Sequence, residues 1–177
     1  MGIDYARTFR GAIAGALAAG VWAAQMPLDK RALGSDFDDV ALLGKAITRA
    51  DAWPVAGWAL HLGNGALFGA AYANLAPRLP LPSWARGPVA ASAENLLTWP
   101  LTAVTDRVHP ARKELPVLFA NPRAFTQSAW RHLLFGVLLG EIERRLNARE
   151  PVVAAPSYVP TASTNGHGTL EHAAPVG

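Results

Sequence analysis

Apolar residues fall in long blocks set off by short polar punctuation. From Gly11 to Leu28 the chain carries no Asp, Glu, Lys or Arg, and the same holds from Ala52 to Pro77. A third block, from about Gly87 to Val104, is interrupted by Glu94-Asn95, and a fourth, from about Phe125 to Glu141, by Arg131. Roughly 20 apolar residues are what a helix needs to cross the hydrocarbon core of a bilayer. The pattern therefore predicts four spans, at about residues 9–28, 53–76, 87–104 and 125–143. Trp53, Trp58, Tyr72 and Trp84 fall near span ends, where amphipathic rings suit the interface.

The polar stretch from Asp29 to Asp51 holds one helical pattern, with Phe37, Val40, Ala41, Gly44 and Ile47 at helical spacing. Ser35 is its expected N-cap, with Asp38 three residues on as in a capping box. This predicts a short amphipathic helix in the first outer loop, lying on the membrane surface. Asp36, Asp38 and Asp39 lack the glycine and terminal glutamate of a calcium loop. The proline-rich turn from Pro77 to Ser83 is tight, so the second and third spans are expected to be antiparallel neighbours.

The blocks also repeat. His61-Leu62-Gly63-Asn64-Gly65-Ala66-Leu67-Phe68-Gly69 returns as His132-Leu133-Leu134-Phe135-Gly136-Val137-Leu138-Leu139-Gly140. Each reads His-x-x-x-Gly-x-x-x-Gly, which puts the three residues on one helical face. Met26-Pro27-Leu28 closes the first block and Trp99-Pro100-Leu101 the third. A basic start and an Ala-rich run also describe a secretory signal peptide, but a disposable peptide would have no reason to match a retained helix. The expected fold is all-α: an integral membrane four-helix bundle of two parallel helical-hairpin repeats, related by an axis along the membrane normal. Gly11 and Gly15 add a further Gly-x-x-x-Gly. With Gly65, Gly69, Gly136 and Gly140 they are the expected helix-packing residues, since association in lipid relies on close backbone approach. The same faces could join two copies of the chain.

Composition sharpens this. Charged residues are 16% of the chain, against roughly 25% in soluble domains. The net charge of +3 comes without an aromatic-basic groove or zinc spacing, so no nucleic acid is expected, and the bilayer is the expected partner. Arg7 and Arg10, at the start of the first span, make the cytoplasmic side of a bacterial inner membrane the expected place of both termini. Residues 147–177 are rich in Pro, Ala, Ser, Thr and Gly and read as a disordered tail. The absence of cysteine excludes disulfides and thiolate sites.

Candidate chemistry is confined to an intramembrane polar cluster: His61, Asn64, Glu94, Asn95, Arg131 and His132. At about 1.5 Å per residue, His61, Asn64, Glu94 and His132 fall within about 5 Å of one depth. Ionisable groups there cost on the order of 2.5–3.5 kcal/mol and face inward with a partner, so Glu94 is expected to meet His61, His132 or Arg131. Three explanations fit: hydrogen bonds that fix helix register, a proton or small-solute path through Glu94, His61 and His132, or a haem held between His61 and His132. No nucleophile elbow, phosphate loop or His-Glu-x-x-His helix is present, so no enzyme activity, metal or cofactor is expected. His109, His167 and His172 receive no role.

From about Phe9 to Arg149 the order of features resembles the YagU-like family of small bacterial inner-membrane proteins. The resemblance rests on Gly11-Ala12-Ile13-Ala14-Gly15, Pro27-Leu28, Phe68-Gly69-Ala70-Ala71-Tyr72, Pro100-Leu101, His132, Glu141 and Arg144-Arg145. The first outer loop is shorter here, lacks cysteine, and a tail is added. The resemblance implies a multi-pass inner-membrane protein of undefined activity and leaves function open; the expected function is a structural or accessory role in the inner membrane, tied to envelope or pH stress.

Overall fold

The computed structural model describes residues 4–148 and the backbone of two short strands, Tyr158–Pro160 (β1) and Ala173–Pro175 (β2), which pair antiparallel. The rest of the expected tail lies outside the described residues. Residues 4–148 carry the helices: α1 Tyr5–Leu33, α2 Asp39–Ile47, α3 Trp53–Leu75, α4 Ser83–Thr98, α5 Thr102–Val108 and α6 Pro122–Leu146.

Local chemistry sets the ends. Asp4 caps α1 by accepting the Arg7 N–H, and Gly34 closes it in the left-handed region at φ 59°. Pro27 is accommodated within α1, so the helix continues beyond the expected end at residue 28 and carries Asp29 with it. Asp38, not Ser35, caps α2 by accepting the Ala41 N–H at 2.8 Å. Ser35 instead accepts the Phe37 N–H and turns the chain before it. Asn121 caps α6. The expected third span is not one helix. α4 has 16 residues, about 24 Å at 1.5 Å per residue, short of the roughly 30 Å hydrocarbon core. A 3₁₀ turn over Trp99–Leu101 follows it, where Pro100 has no N–H to continue the ladder.

α1 is the central element. It packs on α3 and α6, α6 packs on α4, and α3 and α4 barely touch. α2 lies against the start of α3, where a Cβ at Gly44 would strike the Trp53 carbonyl and one at Gly57 the Val40 carbonyl. On the α1–α3 seam Gly11 faces Gly69, Gly15 faces Gly65 and Ala19 faces His61, so the two helices are antiparallel. α4 and α6 approach as closely, with Gly87 on Gly136 and Gly140. All six expected packing glycines thus meet backbone of the same chain, and Gly87 joins them. Ala14, Ala18, Ala19, Ala23, Ala73 and Ala91 are buried along these seams.

Charged and polar side chains lie inside beside the apolar core, and large apolar side chains lie on the outside. Arg131 is 0% exposed, and Asp29, Gln127, Ser128, Asn95 and Glu143 are also buried. Val55, Leu67 and Leu97, by contrast, are 74%, 73% and 78% exposed. Among the described residues one helix, α1, is long and apolar enough to cross a membrane, with a mean hydropathy of 1.3.

Candidate functional site

The site is assembled on a buried ionic floor. Arg131 on α6 donates from Nε and one terminal nitrogen to the two oxygens of Asp29 on α1, at 2.6 and 2.7 Å. This is the bidentate fork a guanidinium is shaped for. Its remaining groups reach Asp39 at 2.6 Å and the Phe37 carbonyl at 3.0 Å. Asp29 also accepts from Gln127 and Gln25. Asp39 accepts the Trp22 indole N–H at 3.0 Å. The network thus ties α1, α2 and α6 together at the loop end of the bundle.

Above this floor lies a half-open cavity of about 220 Å³ between α3 and α4, the two helices that do not pack together. His61 and Asn64 enter it from α3, Glu94 from α4, His132 from α6, Trp22 from α1 and Asp39 from α2. His61 is buried and its Nε2–H donates to the Ala19 carbonyl at 3.1 Å. His132 sits against Glu94, Nε2 to carboxylate oxygen 2.8 Å. Its Nδ1 faces the Ser128 carbonyl at 2.8 Å and the Ser128 hydroxyl, whose own proton goes to Asn95. Both ring nitrogens therefore point at acceptors.

Of the six residues expected to cluster, His61, Asn64, Glu94 and His132 share this cavity. Of the three partners expected for Glu94, it meets His132. Asn95 points away into the α4–α6 seam, and Arg131 is held in the floor by Asp29 rather than by Glu94. Asp29, Asp39, Gln127 and Trp22 were missing from the expected set. Arg131 alone, as an unbalanced cation in an apolar block, signalled that an acid must come from elsewhere. A haem between the two histidines does not suit this arrangement. Trp22 makes edge contacts with both rings, at centroid distances of 5.4 and 4.6 Å, and Nε2 of each histidine is already engaged. Among the described residues no group of three His, Cys, Asp or Glu is disposed to hold a metal ion.

The loops brace the floor from outside. Lys30 reaches Asp38 at 2.5 Å. Burial opposes ionisation of Asp38, but the Lys30 hydrogen bond and the Ala41 N–H outweigh it and hold the carboxyl below its ordinary value. His109 clips the second loop to α2: its Nε2–H donates to the Leu42 carbonyl at 2.9 Å while Nδ1 accepts the Ala111 N–H. Asp106 accepts the Leu118 and Phe119 N–H groups. At the opposite end Arg7 bridges the Ala73 carbonyl and Glu143. No family model, no curated protein and no solved structure matches the chain.

Proposed function

We propose that this chain is a multi-pass protein of the bacterial inner membrane, built from two parallel hairpin repeats, with a structural or accessory role rather than an enzymatic one. The observation that carries this reading is the set of large apolar side chains on the outside, Val55, Leu67 and Leu97 among them, over an interior that holds an arginine without exposure. In water such an outer surface would be an aggregation hazard; lipid is its matching solvent, and the buried Arg131 is paired with acids as that setting requires. The repeat is supported by the seams, since Gly15 on Gly65 and Gly87 on Gly136 are equivalent contacts. Membership of the YagU-like family, with a role in envelope or pH stress, belongs to the same proposal and rests on the order of helices and motifs. The glycine faces are used within the chain, so a homo-oligomer would form through another face. After alkaline carbonate washing of membranes, the full chain is expected in the pellet and released only by detergent. Recovery as a soluble monomer without detergent would overturn the reading.

A second reading, a proton or small-solute path, is favoured by the Glu94–His132 dyad at a cavity wall. A carboxylate within hydrogen-bond reach of an imidazole, here at 2.8 Å, is the pairing a relay requires. In proteoliposomes a pH-driven flux should then fall in Glu94→Gln. Equal flux in wild type and variant removes this path.

A further inference from the structure

We propose that the cavity between α3 and α4 is a binding site for a small organic ammonium ion. The first observation is charge balance. Asp29 and Asp39 share a single guanidinium, Arg131, so the buried floor keeps one negative charge. Glu94 and His132 are engaged with each other and supply no free cation to offset it, and Lys30 is taken by Asp38. His61 on α3 is the other titratable group at the cavity, and it spends its Nε2–H on the Ala19 carbonyl. Asp39 is partly buried, its side chain 15% exposed, and an uncompensated charge in such a place is relieved by a bound cation. Asp39, the acid of the floor that lines the cavity, is where that charge reaches the open space.

The second observation is the wall. Trp22, Phe68 and Phe135 line the cavity in edge-to-face contact, with Trp22 5.9 Å and Phe68 5.5 Å from Phe135. Aromatic faces beside a carboxylate recognise alkylated ammonium groups, which are too weakly hydrated to need a full set of hydrogen bonds. The volume, about 220 Å³, lies below the roughly 300–1,000 Å³ of drug-sized pockets, so the ligand is small. An anion is disfavoured, because the one fixed cation is already surrounded by Asp29, Asp39 and the Phe37 carbonyl. The assignment rests on the cleft being a solute site, as in the second reading, and is independent of what covers the outer surface.

Choline and its uncharged analogue, with carbon in place of the ammonium nitrogen, test it by titration calorimetry on the full chain in detergent. Wild type should give a saturable heat with choline and roughly tenfold weaker binding of the analogue. Asp39→Asn removes the excess charge and should weaken choline by roughly tenfold as well. Should that variant fail to fold, the comparison of the two ligands on wild type decides alone. Equal binding of both ligands, or no saturable heat with either, overturns the assignment. Choline heat without proteoliposome flux supports the site and removes the path; flux without choline heat leaves a path for another solute and overturns the ammonium site.

Discussion

Arg131 is the residue on which the interior depends. It has three acceptors, on α1, α2 and the segment between them, and none of its surface reaches solvent. Removing one member of a buried ion network leaves the others charged and unpaired, at a cost of about 3–5 kcal/mol. Arg131→Met, similar in length but without charge, should therefore lower the thermal midpoint in detergent sharply. Arg131→Lys should fall between, because an ammonium cannot reproduce the fork on Asp29. Melting of Arg131→Met at the wild-type temperature would show that the network contributes nothing. The sequence shows why Arg131 needs a partner but not which one. Asp29 is 102 positions away, just past a proline that reads as a helix stop. Glu94, the acid nearest in apparent depth, is drawn instead to His132. Pairings across helices depend on rotation about each axis, which hydrophobic blocks leave undetermined.

Among the elements, the seams were the most legible, because a glycine face has a fixed spacing and one physical use. His61, Gly65 and Gly69 are all buried on one side of α3, as the pattern requires. Gly63, on the same helix, meets nothing within 4 Å. The two positions therefore predict opposite outcomes. Gly65→Ala would drive a methyl into Ala19 and the Gly15 carbonyl, and should cost about 1–3 kcal/mol by overpacking. Gly63→Ala should be neutral or stabilising by up to about 1 kcal/mol, from helix propensity alone. Thermal unfolding of the pair checks this, and equal effects would mean the seam is not held by backbone contact. The start of α2 was less legible, since Ser35 and Asp38 are both competent caps and Lys30 tips the choice to Asp38. Asp38 is held below its ordinary value, so its stabilisation is complete above about pH 4 and fades as pH falls through the lower folded value. Asp38→Asn keeps a competent cap and loses the charge. Its stability deficit should be full near about pH 6 and close below about pH 4; a deficit that persists in acid would place the effect outside this ion pair.

For the whole molecule, the proposed repeat explains where the cavity comes from. If α1 and α6 are the counterparts of α4 and α3, the packed α1–α6 interface should have an equivalent between α4 and α3. It has none, and the residues at the matching positions explain why. The register that matches Gly15 to Gly87 places Leu101 opposite Asp29, and the one that matches His61 to His132 places Leu60 opposite Arg131. The ion pair that clamps one interface therefore has no counterpart in the other. Matching Gly15 to Gly87 puts Glu94 where α1 has Trp22, so a carboxylate stands where an indole fills the packed side. On the proposed repeat, the cleft is an interface left open by these differences, which accounts for its lining by residues from both halves. Its outer rim should then face lipid while the connecting loops face water. Because the chain has no cysteine, single replacements report this directly. In intact membranes, Glu114→Cys on the second loop, where the wild-type residue pairs with Lys45 and Arg49, should react with a membrane-impermeant maleimide. Leu67→Cys on α3, where the side chain is 73% exposed to the surroundings, should stay unreacted until detergent and denaturant are added. Prompt labelling at both positions would place α3 in water, and with it fall the lipid-facing surface and the four-span frame.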